Sequence, residues 1–522
     1  MNNLYQKYFL KSNIIIVIII FFFSFFINYY YSSFGVFPID TFFHYDSAAR
    51  ILQGEFPIKD FWIVSGLIID LIQSLFFKFF GVNWFAYIFH SSVSNFLISL
   101  IIYHYFQSIK INKINSLLFT CCFSTLAYTI SGTPFVDHHA IFFLLASTVL
   151  IIKVIESETN YLWFFIVLFV FLSFLTKQVP AAYIILTQGA IISVYIFHVK
   201  KYSIIKYLIL SFSLIVFLTL TLLFLLNIEL KDFYIQYILH PRSLGSSRFL
   251  NFELTFNGFF NDYKFIILPL ILTFILKVNK FFKKNFKLSK KEIYIFLILC
   301  SFVFCSIFHQ IMTKNQIYIY FLTPILFGLL FTELHLTNYK FKKYFSILLL
   351  LSLVFITFKY HIRYNENRKF HELESVNFDE AVPAHKINKV FHNLSWLNPV
   401  YDGEPDNEIL LIKEGISYLE REKDEIMLFT HYLFLDSITK KKLNYPTRSF
   451  TTDGASMPVA GMKYFRSYKN FLLNKIKDKK IKTVYFFRHE GISEKTLTDY
   501  LDPNCYNKLE NNIFILFKLK CN

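Results

Sequence analysis

Long apolar runs alternate with short polar connections over the first two thirds of the chain. The first is Asn13 to Tyr31, and similar runs follow at about 84–106, 116–132, 139–155, 161–176, 180–199, 203–227, 263–278, 292–311, 317–334 and 344–358. Most approach the roughly 20 residues that a helix needs to cross about 30 Å of hydrocarbon. The pattern predicts a polytopic α-helical membrane protein with about eleven transmembrane helices. One apolar stretch departs from it. In Phe61 to Gly81, the residues Asp70, Gln73, Ser74 and Lys78 recur at helical spacing. Such a segment is expected to lie in the interface as an amphipathic helix rather than to span. Beyond residue 360 the sequence turns mixed and polar. Glu425 to Thr430, Lys482 to Phe487 and Ile513 to Lys518 read as buried strands, with an amphipathic helix over Phe465 to Lys477 before the second. The expected organisation is a transmembrane domain over 1–360 with its first external loop at 32–83. A linker with helical pieces over 361–410 and a small α/β domain over 411–522 follow.

Charge sets the orientation. The 522 residues are 55% hydrophobic, which excludes a soluble enzyme, and carry 53 Lys and Arg against 36 Asp and Glu. The net +17 does not call for nucleic acid. Lys110, Lys113, Lys153, Lys200, Lys201, Lys206, Lys277 to Lys291 and Lys340 to Lys343 all fall on the side of Lys7 once 61–81 stays on the surface. That is the positive-inside pattern. It predicts an uncleaved signal anchor with a cytoplasmic N-terminus in a bacterial inner membrane, and a periplasmic tail. The aromatic fraction of 20%, together with abundant Ile, Lys and Asn, reflects an AT-rich coding bias, so single aromatics carry no weight. Cys121, Cys122, Cys300 and Cys305 lie in apolar runs without metal-site spacing. Cys505 and Cys521 are the pair in the polar region, and a disulfide between them depends on that region lying outside the cytoplasm.

The densest chemistry lies between Pro38 and Gly66, which holds Asp40, His44, Asp46, Arg50, Glu55, Lys59 and Asp60. A charge at the centre of a spanning helix costs about 2.5–3.5 kcal/mol or more, so this stretch lies outside the bilayer or lines a wet cavity. Asp40 and Asp46 are candidates for a general base, or for metal ligands, at a cavity mouth. The competing reading makes Asp40 the cap of the helix FFHYDSAARIL. The same face collects Asp137, His138 and His139, then Lys177 and Gln178, Arg242 and Arg248, and Lys314. Carboxylate beside imidazole can hold a divalent metal or orient a base. Adjacent histidines point about 100° apart on a helix, which favours a cap or a substrate contact over two bonds to one ion. A lone cation at a helix end, such as Lys177, is most often a snorkelling side chain.

The order Asp40, His44-Tyr45, Ala48-Ala49, Ile51-Leu52, Gly54-Glu55, Pro57, Asp60-Phe61, then an amphipathic helix closing on Phe80-Gly81, resembles a known pattern. It is similar to the first external loop of the C-type (GT-C) membrane glycosyltransferases, the superfamily of protein O-mannosyltransferases and lipid A aminoarabinose transferases. The resemblance implies interfacial helices in that loop, a C-terminal periplasmic domain and a polyprenyl-phosphate sugar donor. The acceptor would be a lipid, glycan or protein. It also implies an acidic base, Asp40 by preference, and cations that hold the lipid phosphate, for which Lys177, Arg242, Arg248 and Lys314 are available. His44, Asp137, His138, His139 and Gln178 complete the expected substrate-binding set. Members commonly carry two adjacent acidic residues, whereas Thr41 follows Asp40 here, so Asp46 or Asp60 would supply a second carboxylate. Transfer by single displacement would invert the anomeric carbon. No cofactor is demanded, and a divalent metal stays open. The alternatives are a lipid-linked glycan flippase or transporter, and an O-antigen polymerase or ligase using the late loop 228–262.

Overall fold

The computed structural model describes residues 2–128, 131–250, 255–282, 289–313, 317–337, 339–368 and 372–521. The chain folds as two compact units. One comprises Met1–Tyr31, Ser91–Phe217 and Phe252–Phe370, and the other comprises Ser32–His90, Leu218–Asn251 and His371–Asn522. This division is not the sequential one expected from composition. The first polar loop is grouped with the tail, because its side chains find their partners there.

Among the described residues, eight helices are long and apolar enough to cross a membrane: Asn13–Tyr31, Trp84–Ser108, Val136–Ser157, Gln178–Val199, Ser203–Leu225, Gly258–Lys280, Lys290–Thr313 and Lys342–Glu366. Shorter helices at Lys113–Ala127, Leu162–Thr176 and Ile319–His335 occupy the remaining apolar runs, so each run read from the sequence contains a helix. The protein is a polytopic helical membrane protein. Within the first unit, small polar groups link helices at close range. Ser24 and Ser124 hydroxyls lie 2.9 Å apart, and Asn95 Nδ2 donates to Asn28 Oδ1 at 2.8 Å and to the Ser124 carbonyl at 3.0 Å. Where the surroundings are as apolar as the side chains, such bonds and tight packing hold helices together. The aromatic core beside them includes Phe106, Phe119, Phe123, Phe302 and Phe321. On Ser203–Leu225 the apolar side chains point outward instead, with Phe224 80% exposed, a surface suited to lipid and not to water.

In the second unit the first loop folds into Pro38–Thr41, Phe43–Leu52 and Leu67–Phe80. The 14 residues of Leu67–Phe80 extend about 21 Å, too short for the hydrocarbon core. Of its polar stripe only Lys78 is exposed, and the rest does not face water as the amphipathic pattern suggested. Asp70, Gln73 and Ser74 are buried, while Phe79 is 77% exposed, so the helix shows its apolar side outward. The reason lies in its partners, Arg448 for Asp70 and His90 for Gln73. Gly66 precedes this helix at φ 81°, and a Cβ there would stand 2.5 Å from His44 Cε1. Only glycine suits both the backbone and the space.

The tail carries a four-stranded sheet of β1 (Ile426–Phe429), β2 (Thr483–Phe487), β3 (Tyr506–Glu510) and β4 (Phe514–Leu519). The order is β1-β2-β4-β3, with β1 and β2 parallel and the other neighbours antiparallel. Strands β1 and β2 are buried throughout, as near-continuous apolar runs require. The helix Phe465–Asp478 supplies the crossover between them, setting Tyr468, Leu472 and Ile476 against Met427, Val484 and Phe486. Pro405–Arg421 covers the other face, where Gly415 lets it approach Phe487 and Phe514. The three predicted strands and the predicted helix are present. The exposed β3 lacked an apolar pattern and escaped the sequence reading. Cys505 and Cys521 form a disulfide beside the β3–β4 pair, with Cα atoms 4.9 Å apart.

Candidate functional site

Two buried ionic clusters organise the first loop. Arg50, 1% exposed on Phe43–Leu52, donates from Nε to Glu55 Oε2 at 2.7 Å and from Nη2 to the Tyr445 carbonyl at 3.0 Å. Its Nη1 stands 3.6 Å from Asp46, and the guanidinium lies 4.0 Å over the Phe61 ring. Lys442 adds a second cation on Glu55 at 2.6 Å. Burial disfavours the charged form of Glu55, but Arg50, Lys475 and Lys442 outweigh it and hold the carboxyl well below its usual range. Asp46 has no such set of donors, and neither of its carboxyl oxygens has a hydrogen-bond partner. Burial pushes it up to about 8 against the pull of Arg50, with Asp436 and Glu55 adding repulsion, so it is protonated at neutral pH.

The second cluster centres on Asp70. Its Oδ1 lies 2.7 Å from His44 Nδ1, and its Oδ2 pairs with Arg448, which also donates to the Ser65 carbonyl at 2.6 Å. Burial lowers Arg448 to about 9. Asp70 and Arg448 are 378 residues apart in sequence, so this pair ties the loop to the tail within the second unit. Asp60 has a local role, with Oδ2 accepting the Phe56 N–H at 2.9 Å to close a turn. Asp40 is different again. It sits partly exposed in Pro38–Thr41, and Phe42, not Asp40, takes the cap position of Phe43–Leu52. The three aspartates singled out by the sequence thus occupy a buried protonated position, a turn and a partly exposed helix.

The first unit has its own cluster. Lys177 Nζ reaches both oxygens of Asp137, at 2.7 and 2.8 Å, and His309 Nε2 lies 2.7 Å from Oδ1. Lys177 is part of the ion pair and keeps about a fifth of its side chain exposed. His138 stacks on Tyr128 with centroids 5.0 Å apart, and neither of its nitrogens has a hydrogen-bond partner. His139 faces the Tyr128 hydroxyl at 2.9 Å and the Ser94 hydroxyl at 3.2 Å. The two histidines do diverge, as helical geometry requires. Gln178 opens the following helix. Arg242, in the second unit, is exposed on His240–Leu250. The side chain of Arg248 and the whole of Lys314 lie outside the described residues.

The structure therefore joins Asp137 to Lys177, and Asp46 to Arg50 and Glu55. The sequence reading missed Asp70, Arg448, Asp436 and Lys475 as members of the loop clusters. Only Asp70 had a local signal, as a charge on an apolar helix. Among the described residues, no group of three or more His, Cys, Asp and Glu side chains is arranged to hold a metal ion.

Fold and clusters together define a polytopic membrane protein with an α/β tail, whose first polar loop is anchored by buried ion pairs. No protein-family model and no curated protein matches the chain. Among solved structures it is similar to the crystal structure of ArnT from Cupriavidus metallidurans bound to undecaprenyl phosphate, at 10% identity. The alignment covers 98% of this chain and 97% of that one, with a TM-score of 0.42. At those values the likeness transfers no residue roles.

Proposed function

We propose that the chain is a membrane glycosyltransferase that moves a sugar from a polyprenyl-phosphate donor to a lipid, glycan or protein acceptor at the periplasmic face. The observation that carries this reading is the state of Asp40. Asp46 is buried and protonated and Asp60 closes a turn, whereas Asp40 is partly exposed on a loop fixed by ion pairs on Arg50 and Arg448. A base needs this combination of access and rigid support. Asp40 takes the proton of the acceptor hydroxyl as its oxygen attacks the anomeric carbon. The bond to the lipid phosphate breaks on the opposite face, and the configuration inverts. The phosphate is already a competent leaving group, so cations suffice to stabilise its charge, with Arg242, in the same unit as Asp40, as a candidate. The Cys505–Cys521 disulfide supports a tail outside the cytoplasm.

The transporter alternative expects ionisable groups near the middle of spans. Asp137 is the second residue of Val136–Ser157, Lys177 falls between two helices, and His309 lies close to the end of Lys290–Thr313. This placement at helix ends favours the transferase.

The test is complementation of a deletion strain, read by mass spectrometry of its surface glycans, lipids and glycoproteins for a missing sugar. Asp40→Asn should fail to restore the sugar while inserting normally in the membrane. Asp46→Asn should restore it, since the parent side chain is already neutral. Parental restoration by Asp40→Asn would reject the mechanism.

A further inference from the structure

The first unit carries an apolar groove of about 340 Å³, lined by Phe265, Leu351, Ser352, Phe355 and Ile356. Phe265 belongs to Gly258–Lys280 and the other four to Lys342–Glu366. The groove lies on the outside of these helices, where Leu351 is 63% and Phe355 68% exposed. An exposed apolar face on a spanning helix meets lipid chains. Its frame is held from behind. The Phe265 ring packs edge-on against Tyr360 with centroids 6.0 Å apart, Tyr360 stacks on Tyr320, and the Tyr320 hydroxyl donates to the Asp262 carbonyl at 2.8 Å.

One end of the groove is cationic. Two ammonium groups lie over the same Phe265 ring, Lys264 Nζ at 5.7 Å and Lys359 Nζ at 5.4 Å from its centroid. Leu351, Phe355 and Lys359 follow one another a turn apart, so the apolar wall runs into a charge, and exposed Arg363 adds another one turn further. Among the described residues, Lys264, Lys359 and Arg363 have no ion-pair partner. They outnumber Asp262 and Glu366, the acidic residues of the same turns. The positive-inside pattern does not account for them. Lys359 stands about 25 Å along its helix from Lys342, and Lys264 about 24 Å from Lys280, so both lie at the opposite ends from the Lys-rich connections. That spacing is close to the thickness of the hydrocarbon core, and it puts the two ammonium groups at the level of lipid headgroups.

We infer that this groove is a binding site for an anionic glycerophospholipid, with one acyl chain along Leu351, Phe355 and Ile356 and the headgroup phosphate between Lys264 and Lys359. The phosphate supplies the counter-charge that the protein leaves out, and Arg363 adds to its attraction. The size of the groove selects the kind of chain. At roughly the 30 Å³ that one water fills in the liquid, it takes about eleven groups of methylene size. That is most of one acyl chain and a small part of a long polyprenyl chain, so the occupant is a membrane phospholipid and not the sugar donor. The site is independent of the transferase reading, since none of its residues has a part in transfer.

The experiment reads the groove directly. All four native tryptophans are buried, so Phe355→Trp places a single exposed indole in it. The full chain with this reporter is reconstituted in phosphatidylcholine bilayers, and its fluorescence is quenched with brominated phosphatidylglycerol or brominated phosphatidylcholine, the parent chain giving the background. Phosphatidylglycerol should be preferred at this position by about fivefold or more, the contribution of one cation beside an anionic headgroup. The preference should vanish in Lys264→Gln/Lys359→Gln and persist in Lys340→Gln/Lys343→Gln, which removes exposed charge at the opposite end. All these lysines lie at the surface without ion-pair partners, so the variants keep the fold. Equal quenching by the two lipids, or a preference that survives loss of Lys264 and Lys359, would overturn the site. So would relief of quenching by unbrominated undecaprenyl phosphate at a lower mole fraction than by unbrominated phosphatidylglycerol, which would give the groove to a polyprenyl chain.

Discussion

Replacing Arg50 by Ala tests whether the buried cluster holds the first loop. The guanidinium contacts Glu55 at 2.7 Å, the Tyr445 carbonyl at 3.0 Å and the Phe61 ring at 4.0 Å, all inside the second unit. Its removal leaves Glu55 buried with Lys442 as its remaining direct ion-pair partner, and Lys442 is itself more than a third exposed. Breaking a buried pair by deleting one partner costs about 3–5 kcal/mol. Asp46 adds little to that cost, because it is already protonated at neutral pH. Since 1 kcal/mol corresponds to roughly 2–4 °C for a unit of 150–250 residues, the expected fall in Tm is about 6–20 °C. The assay is thermal unfolding of purified protein in detergent, with single variants Arg50→Ala and Glu55→Gln and the double variant. If the uncompensated charge of Glu55 is the cause, the double variant should be at least 1 kcal/mol more stable than additivity predicts. A shift below 2 °C in Arg50→Ala, or strict additivity in the cycle, refutes the cluster as the anchor of the loop.

The remaining predictions concern a pH slope, a close packing contact and the phosphate cation. Asp46 binds its proton more tightly folded, at about 8, than unfolded, at 3.8, so its contribution is complete below pH 4 and is lost as pH rises toward 8. Unfolding midpoints at pH 5 and pH 8 should therefore fall more in the parent than in Asp46→Asn, by up to about 1.4 kcal/mol per pH unit; an equal or opposite slope contradicts the buried protonated state. At Gly415, alanine would gain about 1 kcal/mol of helix propensity, but its Cβ would stand 2.6 Å from the Phe487 ring. Overpacking at about 1–3 kcal/mol should win and lower Tm, and a raised Tm would show that Phe487 can give way. Arg242→Ala should raise the donor concentration needed for half-maximal transfer at least threefold. Unchanged donor saturation would move the phosphate role to other residues.

Hydrophobic periodicity by itself determined the membrane class and the positions of the helical runs, because crossing a bilayer imposes a length and a composition that are legible locally. The apolar strands of the tail were legible for a similar reason: Ile426–Phe429 and Thr483–Phe487 are buried on both faces and leave no polar alternation. Tyr506–Glu510, at the sheet edge with most of its side chains exposed, carried no such imprint. The polar stripe of Leu67–Phe80 marked an amphipathic helix but not which way it would face. That was decided by Arg448 and His90, which turn Asp70 and Gln73 inward. Chemistry was the least legible. Asp40, Asp46 and Asp60 look alike in a sequence, and only the fold separates them: burial raises Asp46 against the pull of Arg50, while the Asp60 carboxylate accepts a backbone N–H. Electrostatic environment depends on residues hundreds of positions apart, such as Asp70 and Arg448, and no local pattern encodes that distance.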